Sequence, residues 1–504
     1  MKKMPRAVDP RFVRRRHGQI RIAVALLPGS RSPPARPIPF VATMTAALPR
    51  SLLRPWCLCT ALLAVGHAAA AEPPAGFTSL FNGRDLAGWR GGETYDHRQL
   101  LALPEADRAA LVAKWTASLT ELKDGRPHWR AEGGVLVNDG FGGYATTARD
   151  YGDFELRLDF KLAPGADSGV YLRGVPQVQI WDPTMPDPKG NGYARGSGGL
   201  WNNPKGTPGR DPLVKADKPI GEWNALRVVM VGSRASVWLN EKLVVDHVVL
   251  ENYYDRNNKK LAPDERRPVP ARGPIQLQTH GGATHWRNLF IREIGTAEAN
   301  RLLASHGGQG FVSIFNGRNL EGWAGAVDSV EVKDGAMVWL EKKGGVAYWN
   351  QDLRDFQARL MFKIPPGGNN GLAIRYPGTG NTAYDGMCEL QILDEAYNTV
   401  KKLPPGKQID ARQYHGSAYG MVAAARGYQH PIGEWNFQEV TVRGSTIRVE
   451  LNGTVILDTD LAKVDLTKVM SKKGHPGKDR PNGFFGFAGH NDPVAFREIS
   501  IKRL

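Results

Sequence analysis

The chain has 504 residues, which exceeds what one ordinary hydrophobic core serves, and 41% apolar content with 58 Gly and 35 Pro is typical of a turn-rich globular protein with two or more domains. Its net charge of +16 is concentrated at the amino terminus, where residues 1–60 carry twelve Lys or Arg against one acidic residue, Asp9. That segment accounts for +11 and leaves only +5 for the rest, so the composition excludes general disorder and argues against nucleic acid as a partner.

The basic amino-terminal segment has the pattern of a secretory leader. A second candidate start, Met44, precedes an apolar run at Trp56–Val65 and small residues at Ala68–Ala71. We therefore expect residues 1–71 to be leader and signal, cleaved near residue 71, and the protein to be exported to the periplasm or beyond the cell. No apolar run is long enough for a membrane span. Cys388 is the only cysteine outside the leader, which excludes an intrachain disulfide.

The chain repeats one unit. Residues 76–89 recur as residues 310–323 at a constant offset of 234. Shorter echoes follow in the same order, namely Asp153-Phe154 with Asp355-Phe356, Arg173 with Arg375, Gly221-Glu222-Trp223-Asn224 with Gly433-Glu434-Trp435-Asn436, and His280 with His490. The sequence therefore predicts two homologous domains, residues 72–296 and 308–504, joined by a linker at 297–307.

Within the first unit, residues 95–124 form an insertion whose apolar residues fall near helical spacing, which predicts a helix or helical hairpin. Elsewhere short alternating or β-branched runs bounded by turn residues predict strands, as at residues 154–160 and 446–451. Short strands without alternating helices favour an all-β fold, two tandem β-sandwich domains of jelly-roll type with a helical insertion in the first. The linker has a short helical stretch and a glycine-rich tail, which predicts a hinge.

Two equivalent strands carry the candidate site. In residues 388–394, Glu389 and Gln391 alternate with apolar neighbours, so the period of two places both side chains on one face. The equivalent positions of residues 176–182 are Gln177 and Gln179, so only the second copy has an ionisable group there. Asp394 falls on the opposite face of a regular strand and joins the site only if the strand twists or ends.

These motifs together resemble the 3-keto-disaccharide hydrolase domain family over essentially all of residues 76–504. The motifs that carry the resemblance are Leu80-Phe81-Asn82-Gly83 with Trp89, Gly152–Glu155, Asp167–Arg173, Gln177–Asp182, Gly221–Asn224 and Arg287-Asn288. The resemblance implies a concanavalin A-like sandwich that cleaves 3-keto-glycosides by hydrolysis, or by β-elimination followed by hydration. A ketone at C3 acidifies the C2 hydrogen, so a general base and a stabilised enolate would allow the C1 substituent to leave.

We expect the second copy to be the catalytic domain, because Glu389 can ionise whereas Gln177 cannot. The candidate catalytic residues are Glu389 as acid or base, Arg375 as electrophile or substrate clamp, and His415 and His490 for proton transfer or metal ligation. Gln391 and Asp394 are expected to orient the sugar. Each arginine of the repeated pair has a structural alternative, pairing with a carboxylate at the edge of a sandwich, and each closing histidine is equally compatible with a structural role.

The first copy is expected to bind substrate. Its candidate residues are Arg173, Gln177, Gln179, Asp182, His280 and Trp181, the last as a platform for a sugar ring. Because Gln177 cannot ionise, proton transfer there would need Asp182 or His280, and a pure binding module is the alternative. For the whole chain the competing hypothesis is a non-catalytic carbohydrate-binding protein, because sandwiches of this type serve both functions.

Cofactor and assembly are left open by the sequence. It has no compact His-x-x-x-His or EF-hand pattern, so a divalent metal ion that stabilises an enolate is compatible with the chemistry but has no specific motif. The expected partner is a 3-keto-glycoside or another carbohydrate. Nothing in the sequence fixes the oligomeric state.

Overall fold

A computed structural model describes residues 71–262, 265–472 and 474–504. The signal sequence predicted for residues 1–71 therefore lies almost entirely outside the described residues. Within the described ranges, no helix has both the length and the apolar character needed to cross a membrane.

The first domain is a sandwich of two antiparallel sheets with a small added hairpin. In chain order its strands are β1 (Thr78–Ser79), β2 (Trp89–Gly92), β3 (Leu122–Lys123), β4 (Arg126–Pro127), β5 (Trp129–Glu132), β6 (Val135–Asn138), β7 (Tyr144–Thr147), β8 (Phe154–Leu162), β9 (Asp167–Leu172), β10 (Val175–Trp181), β11 (Asn224–Val231), β12 (Arg234–Leu239), β13 (Lys242–Val249), β14 (Gln276–Leu277) and β15 (Thr284–Glu293). The larger sheet has the order β13-β12-β11-β8-β15-β6-β5, with β1 also paired to β15, and the smaller has the order β10-β9-β14-β7-β2. Strands β3 and β4 pair with each other.

Apart from the β3–β4 hairpin, the second domain repeats this topology strand for strand. Its strands are β16 (Val312–Ser313), β17 (Trp323–Gly325), β18 (Val330–Lys333), β19 (Ala336–Trp339), β20 (Gly344–Trp349), β21 (Phe356–Lys363), β22 (Asn369–Tyr376), β23 (Cys388–Leu393), β24 (Asn436–Arg443), β25 (Thr446–Leu451), β26 (Thr454–Asp460), β27 (Phe484–His490) and β28 (Ala495–Arg503). The larger sheet has the order β18-β19-β28-β21-β24-β25-β26, with β16 beside β28, and the smaller has the order β17-β20-β27-β22-β23. The all-β expectation of two tandem jelly-roll sandwiches is confirmed.

The core of each sandwich comes from the inward-facing residues of its strands. In β8, Leu156, Leu158 and Phe160 are buried in the first core, and the equivalent Ala358, Leu360 and Phe362 of β21 are buried in the second. Each fully buried leucine or phenylalanine contributes roughly 1.5–3 kcal/mol relative to exposure. The alternation that was visible in the sequence therefore fixes which face of each strand is left for a site.

The helical insertion is confirmed as part of the first domain. The helices of the described residues are α1 (His97–Ala102), α2 (Glu105–Ala117), α3 (Tyr253–Asn257), α4 (Thr296–Ser305), α5 (Thr382–Asp385) and α6 (Tyr397–Val400). Helix α2 lies directly on β2, where a Cβ on Gly91 would come within 2.0 Å of the Trp115 backbone. Only glycine allows this close approach, so the insertion covers one edge of the smaller sheet of the first domain.

The linker forms a packed helix instead of the expected hinge. Ala299 and Leu303 of α4 are buried in a cluster that also contains Val231 of the first domain and Phe437 of the second. Nearby, Arg234 of the first domain forms a salt bridge with a carboxylate of the second. The apolar face of the helix removes water from this junction, and this is the physical reason why the hinge expectation is wrong.

Candidate active site

Strand β23 presents two polar side chains on the outer face of the smaller sheet of the second domain. Glu389 pairs in register with Ala373 of β22, and Gln391 pairs with Gly371. A Cβ on Gly371 would lie 2.4 Å from the Glu389 carboxyl group, so the glycine lets that side chain lie across the sheet. The next strand adds Gly486 and Ala488 to the same rows. A floor of very small residues thus leaves space in front of Glu389.

This space is a cavity of about 260 Å³. Strands β22, β23 and β27 contribute to its walls, together with the connection between β22 and β23 and the connection that follows β23. The lining residues are Asn369, Asn381, Ala383, Tyr384, Glu389, Gln391, Leu393, Tyr397, Ile409, Gln413, Tyr419 and His490. Pockets for drug-sized ligands are typically about 300–1,000 Å³. The volume therefore fits a small ligand such as a single sugar ring.

A carboxylate and an imidazole meet in this cavity. His490 Nε2 lies 3.6 Å from Glu389 Oε1, and Thr382 Oγ1 donates a hydrogen bond to Glu389 Oε2. Thr382 opens helix α5, and the Asn381 side chain caps that helix by accepting from the Ala383 N–H. The nearby Glu389 carboxylate raises the pKa of His490 above its ordinary value and outweighs the opposite effect of burial. The pair can therefore hold a proton on His490 beside a carboxylate that is only 4% exposed.

No Lys or Arg lines this cavity among the residues that the structure describes. Hydrogen-bond donors for an oxyanion must therefore come from His490, the amide side chains or the tyrosine hydroxyl groups. In the same described ranges, no cluster of three or more His, Cys, Asp or Glu could hold a metal ion. Glu389 and His490, with the unpaired Oε1 of Gln391, give two strong donors and one weak one, fewer than the three firm protein ligands of catalytic zinc sites. The side chains alone do not make a complete metal site.

Three candidates of the second domain lie outside the cavity. Arg375 has a φ of 48° at a register shift in β22, which rotates it away from the face that carries Ala373. Its guanidinium donates to Arg354 O at 2.7 Å, to Gly444 O at 2.8 Å and to Asp355 Oδ1 at 2.9 Å, so its contacts are those of the structural alternative. The expected role of Arg375 as electrophile or clamp is corrected to a structural one.

His415 is packed between the two sheets of the second domain. Its ring stacks on Phe362 at a centroid distance of 4.9 Å, and its Nε2 lies 3.0 Å from Gln438 Oε1. Burial lowers the pKa of His415 to about 4. A neutral histidine sealed in the core cannot exchange protons with a ligand in the cavity, so this assignment is also corrected.

Asp394 follows the last residue of β23 and forms a turn. Its Oδ2 accepts from the Gly367 N–H at 2.7 Å, and its Oδ1 accepts from the Ala396 N–H at 2.8 Å. Asp182 makes the same contacts in the first domain, with the N–H groups of Gly165 and Thr184. Neither aspartate is free to orient a sugar, and both assignments are corrected to turn capping.

The outer face of the first domain brings together Gln177, Gln179 and His280. It adds Asp167, which had no predicted role although it belongs to a motif of the family resemblance. His280 Nδ1 lies 3.2 Å from Asp167 Oδ2, and Gln179 Nε2 donates to Asp167 Oδ1 at 2.6 Å. The adjacent Asp167 carboxylate raises the pKa of His280. The substrate-binding roles of these residues stay predictions.

Two other candidates of the first domain are structural. Arg173 is buried, donates to Gly152 O at 2.8 Å and pairs with Asp153 at 2.7 Å, as Arg375 does with Asp355. Trp181 is also buried; its Nε1 donates to Gly196 O and its ring packs edge-on against Tyr193 and Trp201. A covered indole cannot stack on a sugar, so the platform assignment is wrong.

The cavity walls contain residues that were not predicted, among them Tyr384 and Tyr397, and Thr382, which was also not predicted, contacts Glu389. Thr382 and Tyr384 lie in a connection that is longer in the second domain, whereas Tyr397 lies after β23. Strands β9 and β10 are joined by two residues, whereas β22 and β23 are separated by residues 377–387. The repeat alignment contained this signal, because an insertion beside a polar strand is where a binding wall is expected.

Comparison with known proteins is consistent with the repeat. The model of the 3-keto-alpha-glucoside-1,2-lyase-like domain matches residues 76–292 and again residues 310–502. A 3-keto-disaccharide hydrolase of Bacteroides thetaiotaomicron is 24% identical over 252 residues, which are 43% of this chain and 86% of that protein. A predicted glycosyl hydrolase of Parabacteroides distasonis with a solved structure is 22% identical, with a TM-score of 0.35, over 39% of this chain and 95% of that one. The carbohydrate-binding module CBM66 of Bacillus subtilis is 11% identical, with a TM-score of 0.24, over 36% and 95% of the respective chains.

Proposed function

Because the chain belongs to the 3-keto-alpha-glucoside-1,2-lyase-like domain family, we propose that it is a carbohydrate-active enzyme that cleaves 3-keto-glycosides in its second domain. The observation that carries this proposal is the Glu389–His490 pair inside a cavity of sugar-ring size. The buried carboxylate and the imidazole of raised pKa are the two proton-transfer groups that an elimination across C1 and C2 requires.

In the proposed reaction Glu389 takes the proton from C2, and the electrons of the C2–H bond form an enolate with the C3 oxygen. The enolate then reforms the C3 carbonyl, a double bond forms between C1 and C2, and the bond from C1 to the leaving oxygen breaks. His490 gives its proton to that oxygen. General acid–base help of this kind is typically worth about 10²–10⁴-fold.

Hydration completes net hydrolysis. Water adds across the double bond, with its oxygen to C1 and a proton to C2, and yields the free 3-keto sugar. Release of the unsaturated sugar before this step would make the same site a lyase. Among the groups that line the cavity, the Asn369 amide and the hydroxyl groups of Tyr384 and Tyr397 can donate to the enolate oxygen. One such donor is typically worth about 10²–10³-fold.

A divalent ion bound to the substrate oxygens would supply further positive charge for the enolate. Glu389 and His490 are the side chains that would face it, but they are also the proposed proton-transfer groups. Export to the periplasm or the medium, indicated by the leader, is part of the proposal and places the enzyme where extracellular glycosides are met.

The test is release of nitrophenol from a nitrophenyl 3-keto-glucoside by the purified protein, with and without added divalent ions. The matched control substrate is the parent glucoside with a hydroxyl group at C3, which should not react because its C2 hydrogen is not acidified. Deuterium at C2 should slow the reaction if the C2–H bond breaks in the rate-limiting step, and deuterium from solvent should appear at C2 of the product. Sugar binding without nitrophenol release under every condition would establish the non-catalytic alternative.

A further inference from the structure

A carboxylate and an amide occupy swapped positions on two neighbouring strands when the two domains are compared. Four positions on the outer face are equivalent: Glu389, Gln391, Asn369 and His490 in the second domain correspond to Gln177, Gln179, Asp167 and His280 in the first. Register supports the match, because Trp181 pairs with Asp167 as Leu393 pairs with Asn369. Each domain therefore has one carboxylate, two amides and one histidine at these positions. The carboxylate lies on β23 in the second domain, but in the first domain it lies on β9, the neighbour of the equivalent strand β10.

In the first domain the carboxylate of Asp167 belongs to a chain of hydrogen-bonded side chains. Asp167 faces His280 with one oxygen and accepts from Gln179 Nε2 with the other, and Gln179 Oε1 in turn accepts from Gln177 Nε2. Because an ionised carboxylate only accepts hydrogen bonds, it fixes the orientation of both amides. Gln177 Oε1 is left buried without a hydrogen-bond partner among the described residues. In the second domain, by contrast, the histidine faces the carboxylate on β23 directly.

The space that forms the second-domain cavity is filled in the first domain. Tyr171 and Gln276 pair in register where the second domain has Ala373 and Gly486. The Tyr171 ring is buried, and its hydroxyl group lies 2.7 Å from Thr94 Oγ1 of the segment that leads into the helical insertion. A sugar ring cannot occupy the position over Gln177 that the proposed reaction requires over Glu389.

Asp167 and His280, in contrast, are accessible to solvent. The side chain of His280 is 60% exposed and that of Asp167 is 19% exposed. Asp167 can accept hydrogen bonds from hydroxyl groups, and the ring nitrogen of His280 that faces away from it can donate one. Neighbouring hydroxyl groups of a sugar offer both kinds of partner at adjacent carbons.

We propose that the first domain has a second saccharide site, centred on Asp167 and His280, which binds the sugar without cleaving it. The inference rests on the proposed function for the identity of the ligand. One chain then binds two equivalents of the 3-keto-glycoside, one in the reactive cavity and one on the first domain. The Tyr171 and Gln276 side chains fill the space needed for cleavage, so the first domain does not cleave the sugar. The carboxylate of Asp167 still offers a hydrogen-bond acceptor for binding.

The experiment uses the full-length Glu389→Gln protein, in which turnover is slow enough for titration. Calorimetry with the 3-keto-glucoside should give two sites, and the sugar should shift the imidazole NMR signal of His280. Adding Asp167→Asn should remove one site and the His280 response. Adding Glu222→Gln instead, at an exposed carboxylate of a turn in the same domain, should preserve both.

Several results would overturn the second site. One is an imidazole NMR signal of His280 that does not shift when the sugar is added. Another is sugar binding to the first domain that is unchanged by Asp167→Asn. Turnover that remains in Glu389→Gln and disappears on adding Asp167→Asn would show that the first domain cleaves sugar, against the inference. Wild-type turnover measured in parallel separates the two proposals, because its absence overturns the proposed function, whereas turnover with no response at His280 overturns only the second site.

Discussion

Replacement of Glu389 by glutamine is the most direct test of the proposed chemistry. The change keeps the shape of the side chain and removes only its ability to accept a proton. The first domain shows that the fold accommodates it, because Gln177 lies over Gly169 as Glu389 lies over Gly371, each about 2.4 Å from where a Cβ on that glycine would be. The variant should therefore fold and retain the cavity.

The expected magnitude follows from the role of the carboxylate. Loss of a general base is typically worth about 10²–10⁴-fold in rate, or roughly 2.7–5.4 kcal/mol of transition-state stabilisation at 1.36 kcal/mol per tenfold. Loss of one ordinary hydrogen bond to the bound sugar costs only about 0.5–1.5 kcal/mol. The effect on kcat should thus greatly exceed the effect on KM for the Glu389→Gln variant.

The assay is steady-state release of nitrophenol from the 3-keto-glucoside, with thermal unfolding as a check on folding. Glu321→Gln, at an exposed carboxylate of the same domain, is the matched control and should have wild-type kcat and KM. A Glu389→Gln protein that is folded and retains kcat within about threefold of wild type would refute the assignment of Glu389 as the base.

Three further outcomes follow from other contacts. Because Glu389 raises the pKa of His490, activity should fall on the alkaline side as His490 loses its proton, and in Glu389→Gln the NMR titration of His490 should move to lower pH. Burial lowers the pKa of His415 to about 4, so its contribution to stability is complete above the unfolded pKa of about 6.5 and is lost as pH falls through 4. The free energy of unfolding should therefore drop by about 3 kcal/mol over that pH range. Urea titrations of the His415→Gln variant should lack this pH-dependent component. Arg375→Lys should lower stability by roughly 3 kcal/mol, since the buried cation loses part of its fork of hydrogen bonds, while the folded fraction keeps its KM; a raised KM with unchanged stability would restore Arg375 to the site.

The sequence alone determined the repeat, the sandwich fold and the direction of the Glu389 and Gln391 side chains. These properties are local or nearly so: a motif shared at a fixed offset requires a shared fold, and the period of two in a strand decides which side chains leave the core. The inward set of β23, Cys388, Leu390 and Ile392, is indeed buried in the second core.

Only the tertiary structure decided which polar residues share the cavity. Arg375 leaves the site through a positive φ at a register shift, and His415 leaves it because its loop enters the space between the sheets. Thr382 contacts Glu389 because a short helix follows β22 and places its first residue beside β23. The pairing of His280 with Asp167, and of His490 with Glu389, depends on contacts between strands distant in sequence, which alternation along a single strand does not specify.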